Sequence, residues 1–439
     1  MLETQKLPMM PRNVAVIAYH YYPSSQSAVH RPGQLSKYLA ECGWTPHVIC
    51  ADWTPANCGS SFDHSLVGAQ ANAHVFRKIP LYDSVARVDL INPLMRWRRM
   101  DGSAILWRIV SRIVPWFPID RRPYDFYRRA VAALEELVAT RPIDVIWATC
   151  PPPVTHAVAA YVAGKNAIPW VADFRDIWDQ KSLIRDEGQR RKLIAQEVTT
   201  LRGCSAAVTI SGPLREKLQS RHRCRVHVIP NGFDPSNYSA PSVKRSSRFE
   251  IVYTGNVFFP LRDPTPIFTA LRSLFVDQPA ARAQIKVIFY GKNDALSAHV
   301  KEKYPDLVDV VVIRGNILHR DLLTVQLNAS VLLLLTHTED EGILTGKLFE
   351  YLGAKRPIVC CPGDGTGVNQ ILAATGAGEA WATEREAYSG IDRLYSEWKR
   401  SGSVKYQGDE EMVKKYSRKS QAAELIKIFD QVLASAKNA

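Results

Sequence analysis

Two series of short, unbroken apolar runs alternate with helix-like stretches along this chain, and that alternation leaves few folds open to it. The first series starts with VAVIAY at residues 14–19, passes a loop rich in Pro and Ser, continues in QLSKYLAECG, whose helical spacing ends at Gly43, and returns in HVICA. An apolar run of strand length without polar alternation suits a strand covered on both faces. Strand, helix and strand in that order join parallel neighbours through a crossover. The series resumes with DVIWATC (144–150), a helix near THAVAAYVAGKN, WVADF (170–174), a polar helix through RRKLIAQEVTTLRG, AAVTIS (206–211) and VHVIPNG (226–232). A doubly wound sheet accounts for all of it.

Residues 239–248, SAPSVKRSSR, are small, polar and basic and have no apolar period, which reads as a linker. The alternation then starts afresh with FEIVYTGN (249–256), PIFTALRSLF, IKVIFYG (285–291), VVVIRGN (310–316), SVLLLLT (330–336), the helix GKLFEYLGA and RPIVCC (356–361). The expected class is α/β, with two Rossmann-like doubly wound parallel-sheet domains, 1–240 and 249–410, facing a central cleft lined by the C-terminal strand ends of both. EEMVKKYSRKSQAAELIKIFDQVLAS spaces its apolar residues as one amphipathic helix, and 411–439 is expected to cross back to the first domain.

A length of 439 residues fits two domains of about 200 residues better than one core. The 46% apolar and 23% charged shares are those of a globular protein. Eight cysteines (Cys42, Cys50, Cys58, Cys150, Cys204, Cys224, Cys360, Cys361) form no CxxC pair and no ligand spacing with histidine, which disfavours a zinc site and a disulfide framework. No apolar run reaches the roughly 18–20 residues of a membrane span, and MLETQKLPMMPR lacks the apolar core of a signal peptide. A cytoplasmic protein is expected, and its net charge of +13 calls for an anionic partner: lipid headgroups, phosphorylated substrates or nucleic acid.

The stretch EGILTGKLFEYLGAKRPIV (341–359) sits beyond the buried strand SVLLLLT. A helix beginning near Thr345 at the C-terminal edge of a parallel strand points free N–H groups outward, where they attract phosphate. Lys347 in its first turn opposes the helix dipole unless an anion sits there. Glu350, one turn on, can accept two hydrogen bonds from a vicinal diol such as a ribose. The competing reading is an i,i+3 salt bridge between Lys347 and Glu350 on a solvated face.

This stretch resembles the donor-site segment of glycosyltransferases of the two-Rossmann (GT-B) architecture, particularly the family 4-like group, in which an acidic-Gly loop precedes a helix written KxFEYLAxGKPI. The similarity extends through YYPSSQSAVHRPGQLSKYLAECGW, VADFRDIWD, VTISGPLREKL, VIPNGFDPSNY and IVYTGNVF, in that order. It implies a nucleotide-sugar-dependent transferase that retains anomeric configuration, with Glu350 on the nucleotide ribose and Glu341 and Gly342 facing the transferred sugar. Lys347 and Leu348 fall within the donor segment. The spacing from Glu341 to Glu350 is one residue step longer than the family's, and the first loop, Ser24 to Ala28, lacks the family's glycines. No cofactor or metal is expected beyond the nucleotide sugar, UDP- or GDP-linked, as a substrate.

After the strand FEIVYT, Gly255 permits close backbone approach, beside Asn256, and Arg262 can reach a pyrophosphate bidentately. Similar enzymes place an Arg and a Lys there; only Arg262 is present, so Lys347 would take the second role. The alternative is a Gly-Asn turn and a surface arginine. By the resemblance, the loop from Gly315 and Asn316 to Leu318 reads the base. VADFRDIWDQ packs Asp173, Arg175, Asp176 and Asp179 at a strand end. Asp173 or Asp176 would orient an acceptor hydroxyl while Arg175 meets an anion, or an internal Arg–Asp pair simply fixes the loop. His20, Ser25, His30 and Arg31 in the first βα loop are acceptor-side candidates.

Between residues 96 and 129, arginines alternate with Trp97, Trp107, Trp116, Phe117, Tyr124, Phe126 and Tyr127. That composition suits an anionic membrane surface, or an ordinary surface helix with one packed side. No nucleic-acid motif accompanies it. The expected function is transfer of a sugar to a lipid-linked or polysaccharide acceptor at the cytoplasmic membrane face. A nucleotide-sugar 2-epimerase of the same architecture and a binding protein without turnover are the rivals.

Overall fold

A computed structural model of the chain describes residues 12–24, 26–55, 74–80, 122–180, 184–238, 246–336, 344–363, 365 and 367–437. In the first series β1 (Arg12–Ala18) leads to α1 (His30–Glu41) and β2 (Trp44–Asp52), followed by β3 (His74–Pro80), α2 (Arg122–Thr140), β4 (Val145–Cys150), α3 (Val154–Asn166) and β5 (Trp170–Phe174). It continues with α4 (Glu187–Thr200), β6 (Ala206–Thr209), α5 (Gly212–Gln219) and β7 (Arg225–Val228). These strands form one sheet in the order β3-β2-β1-β4-β5-β6-β7. The pairs β1–β2, β1–β4, β2–β3 and β6–β7 are parallel. Val14 to Ala18 of β1 have no exposed surface, as an unbroken apolar run in the middle of a sheet requires.

The second series runs β8 (Phe249–Thr254), α6 (Thr265–Asp277), β9 (Ile285–Tyr290), α7 (Asp294–Lys303), β10 (Val311–Arg314), α8 (His319–Asn328), β11 (Val331–Leu334), α9 (Gly346–Ala354), β12 (Ile358–Cys360), α10 (Gly367–Thr375), β13 (Gly378–Ala380) and α11 (Glu384–Ser401). The strand order is β10-β9-β8-β11-β12-β13, parallel throughout. Successive residues of β8 feed opposite faces. Phe249, Ile251 and Tyr253 pack in the core beneath α6 and α11 with Leu271, Leu394 and Tyr395. Val252 joins Leu332, Leu334, Leu348, Phe349 and Leu352 on the other face. Helices therefore cover both sides, and the expected Rossmann-like doubly wound sheets are both present.

In each sheet the chain moves outward from the central strand on one side, then returns to pair on the other: β1 lies between β2 and β4, and β8 between β9 and β11. The crevices beyond β1/β4 and β8/β11 are the topological switch points at which such sheets bind ligands.

The chain forms two compact units, Met1–Asp173 with Thr199–Ser205 and Val432–Ala439, and Phe174–Val198 with Ala206–Gln431. Most of the expected linker, 239–245, lies outside the described residues. The terminal stretch differs from the single helix expected of it. It is split into α12 (Glu410–Lys414) and α13 (Arg418–Lys437). Phe233 N donates to Tyr416 O at 3.2 Å and Arg418 N to Phe233 O at 2.8 Å, so backbone groups that a continuous helix would pair internally are taken by a passing strand-like segment. Among the described residues no helix is long and apolar enough to cross a membrane.

Candidate functional site

The switch point of the six-stranded sheet gathers the residues singled out in the second series. β8 ends at Thr254, and Gly255 follows with φ +132°, a region closed to residues with a side chain. A Cβ on Gly255 would overlap Lys347 Cε and lie 2.5 Å from Nζ. The glycine thus makes the space in which the lysine lies. Thr345 caps α9, its Oγ1 accepting from Lys347 N at 3.4 Å. The ammonium reaches back over the end of β8, 6.0 Å from the Tyr253 ring centroid, the outer edge of a cation–π contact. Among the described residues Lys347 has no carboxylate partner. The i,i+3 pair with Glu350 is not formed.

Glu350 is instead held from α8. Gln326, fully buried, donates from Nε2 to Glu350 Oε2 at 3.2 Å and to Thr254 Oγ1 at 3.1 Å. Tyr351 OH accepts from Thr254 N at 2.9 Å and lies 3.1 Å from Thr254 Oγ1. Burial raises the pKa of Tyr351, keeping it a neutral phenol. Tyr238 OH donates to Glu350 O at 3.0 Å, and its pKa too is raised, by burial first and by Glu350 next. The helix turn carrying Glu350 is thus tied at both backbone and side chain. Leu348 is buried in the core beneath this turn, with its N–H donating to Thr345 O at 3.2 Å.

The neighbouring loops interlock at the same edge. Gly291, after β9, has φ +130°, and a Cβ there would lie 2.6 Å from both C and O of Gly255. Its N–H donates to Arg314 O at 3.1 Å and Gly315 O at 3.3 Å, which brings the expected Gly315 loop beside Gly255. Gly315 and Asn316 are exposed. Asn256 is used internally, Oδ1 accepting from Lys292 N at 2.9 Å, and buried Asn293 takes Val257 N at 2.7 Å. Arg262 lies with its guanidinium carbon 5.2 Å from the Phe258 ring centroid; its Nε is buried without a hydrogen-bond partner, and it has no ion pair among the described residues. Lys347 and the half-buried carboxylate of Glu350 thus lie at the end of β8 and Arg262 in the loop that follows it, neither cation having an ion pair among the described residues, a set of groups that an anionic ligand with a diol would suit. Gln326, Thr254, Tyr351, Gly291 and Asn293 were not singled out in the sequence. The repeat of a strand, a glycine and an asparagine in YTGN and YGKN was the available signal for Gly291 and Asn293.

In the first unit Arg31, on α1, grips Asp173: Nε donates to Oδ2 at 2.9 Å and to Oδ1 at 3.1 Å, and a terminal nitrogen donates to Oδ1 at 2.7 Å. Both side chains are almost fully buried. His156 Nε2 lies 3.3 Å from Asp173 O. His20 stacks on Trp53, with ring centroids 5.3 Å apart and planes 11° apart, and His30 meets Tyr22 edge-on at 6.3 Å. Arg31 and Asp173 thus come together as an internal pair at the end of β5, while His20 and His30 are held by aromatic rings.

In the second unit Arg175 is buried and Asp176 half-buried, both just past β5. Asp179 pairs with Arg221 at the end of α5, at 2.8 and 3.0 Å, and Arg221 also meets Glu197 at 3.2 Å. Burial alone would raise the Asp179 pKa, but the hydrogen bonds and charge of Arg221 outweigh it and the pKa falls below the ordinary carboxylate range. An internal Arg–Asp pair does fix this loop, made with Arg221. Ser25, Glu341 and residues 96–121 of the basic aromatic segment lie outside the described residues. Among the described residues no group of three or more His, Cys, Asp or Glu is placed to hold a metal.

Residues 33–237 match the model of Glycosyltransferase Family 4. Sucrose-phosphate synthase from Thermosynechococcus elongatus superposes over 97% of this chain and 100% of its own, with TM-score 0.61 and 14% identity. HepE from Anabaena, solved with UDP and glucose, does so over 98% of this chain and 100% of its own, with TM-score 0.57 and 13% identity. A putative UDP-N-acetylglucosamine 2-epimerase from Listeria monocytogenes matches over 94% of both chains, with TM-score 0.51 and 10% identity. At these identities the structural likeness establishes the two-Rossmann, GT-B fold. No curated protein matches the chain.

Proposed function

We propose that this chain, a family 4-like glycosyltransferase of GT-B fold, takes its sugar from a nucleoside-diphosphate sugar, UDP- or GDP-linked, and transfers it with retention to a lipid-linked or polysaccharide acceptor. The observation that carries the donor assignment is Lys347, which lies over Gly255 at a switch point and has no carboxylate partner among the described residues. A helix would not place an unpaired cation in its first turn without cost unless an anion is to be bound there. HepE was solved in complex with UDP and with UDP-glucose, which supports a uridine donor here.

In this reading Lys347, Arg262 and the N-terminus of α9 meet the diphosphate, and Glu350 takes the ribose hydroxyls. Charge builds on the leaving diphosphate in the transition state, so cations held in place beforehand lower the barrier. Glu341 would face the transferred sugar by its place in the family's motif. Arg175, Asp176 and the loop from His20 to His30 would serve the acceptor side, with the buried Arg31–Asp173 pair fixing the strand end before them. The basic aromatic segment 96–129, of which α2 begins the described part, would bring the protein to an anionic membrane surface.

The test is release of nucleoside diphosphate from a panel of UDP- and GDP-sugars, with and without lipid-linked and saccharide acceptors. Acceptor-dependent release supports transfer. Conversion of UDP-N-acetylglucosamine to its 2-epimer without any acceptor would replace this reading with the epimerase. Binding without turnover under every condition would leave a nucleotide-sugar-binding protein.

A further inference from the structure

The connection between Gln326 and Glu350 joins two helices that meet at the end of β8. Gln326 sits in the last turns of α8 with no exposed surface, and its Nε2 spends one hydrogen on Thr254 Oγ1 (3.1 Å) and the other on Glu350 Oε2 (3.2 Å). Its Oε1 is buried and accepts no hydrogen bond among the described residues. A stranded buried acceptor is costly, and native proteins seldom keep one without a use. The reversed amide could take a hydrogen from Thr254 Oγ1 but would set Oε1 against the Glu350 carboxylate, acceptor to acceptor. The orientation seen is therefore dictated by the charge on Glu350. That carboxylate is left with one oxygen fixed by Gln326, while Oε1 has no partner among the described residues.

We infer that Gln326 is a positioning residue for donor binding: its buried amide, braced on Thr254, turns the Glu350 carboxylate so that Oε1 faces the two ribose hydroxyls of the nucleotide. This rests on the assignment of Glu350 to the ribose. Thr254, at the end of β8, is in turn held by its own N–H on Tyr351 OH of α9 at 2.9 Å, so the brace joins the strand end to both helices.

The experiment is a calorimetric cycle with whichever of UDP and GDP binds the wild type, and its 2′,3′-dideoxy counterpart, on wild type, Glu350→Ala, Gln326→Leu and Gln326→Glu. Wild type should prefer the ribonucleotide by about tenfold or more, as hydrogen bonds to a charged acceptor imply. Gln326→Leu should shrink that preference toward the ratio of Glu350→Ala while leaving the affinity for the dideoxy compound within about twofold, a pattern that a general loss of structure would not give. Gln326→Glu places two carboxylates together, so its preference should return as pH is lowered and one proton bridges them, a pH dependence absent in wild type. If Gln326→Leu does not fold, that profile decides alone. Undiminished preference in Gln326→Leu, or a flat profile in Gln326→Glu, overturns the role of Gln326 and leaves the donor assignment standing. No discrimination by wild type, or no binding of either nucleotide, overturns the assignment of Glu350 itself.

Discussion

The side chain of Lys347 occupies the space that Gly255 leaves empty: a methyl group on that glycine would overlap Lys347 Cε. The lysine begins a helix whose dipole it opposes, and no acidic side chain among the described residues compensates it. Lys347→Met should therefore keep or raise stability by a few tenths of a kcal/mol, since an unfavourable charge leaves the first turn. It should also weaken nucleoside diphosphate binding by about tenfold or more, the loss of one charge-assisted contact. Melting curves and calorimetric titration of the same variant read both signs.

Gly255→Ala meets two obstacles at once. A φ of +132° is strained for alanine, and the methyl collides with Lys347. A loss of roughly 1–3 kcal/mol is expected, from strain and displacement together. Combining it with Lys347→Met removes the collision, so part of that loss should return in the double variant. Urea denaturation of the two singles and the double gives the coupling.

The Arg31–Asp173 pair predicts a larger effect. Both groups are buried, and Arg31→Met would leave a carboxylate without its cation, at a cost of about 3–5 kcal/mol. Adding Asp173→Asn removes the stranded charge and should recover a large part of it. Additive losses in the double variant would mean that the pair contributes little beyond its separate packing.

His47 predicts the response to acid. It is buried with Nε2 3.0 Å from Asn13 Oδ1, and burial, then the charges of Arg141 and His74, lower its pKa from 6.5 to about 4. The unfolded chain binds the proton first, so stability from this group is present above pH 6.5 and is lost as pH falls toward 4. The drop is of order 1–3 kcal/mol, since each unit is worth about 1.4. Denaturation midpoints from pH 7.5 to 4 should fall less steeply in His47→Gln than in wild type.

Much of this was legible in the sequence for a simple reason. VAVIAY and SVLLLLT are long enough to be strands and too uniformly apolar to be exposed, and glycine or a helix start at their ends marks the edge where ligands bind. Lys347, Glu350 and Gly255 could be found because each breaks a local rule: a cation in a first turn, a carboxylate in an apolar helix, a glycine beside a buried strand. Arg31 and Asp173, separated by 142 positions, share no periodicity that could announce their pairing. Gln326 sits in DLLTVQLN, a stretch that is merely helical until β8 is laid beside it. The break before Arg418 was equally hidden, because Phe233 causes it from far away in the chain.

The central claim is the donor site made by Lys347 and Glu350, and the most direct test is nucleotide-dependent melting of wild type and Glu350→Ala across UDP, GDP, ADP, TDP and CMP with their sugars. A rise in Tm confined to one diphosphate family, abolished in Glu350→Ala while the ligand-free Tm stays within a few degrees, is the expected result. No shift with any nucleotide at millimolar concentration, or an equal shift in the variant, would contradict it.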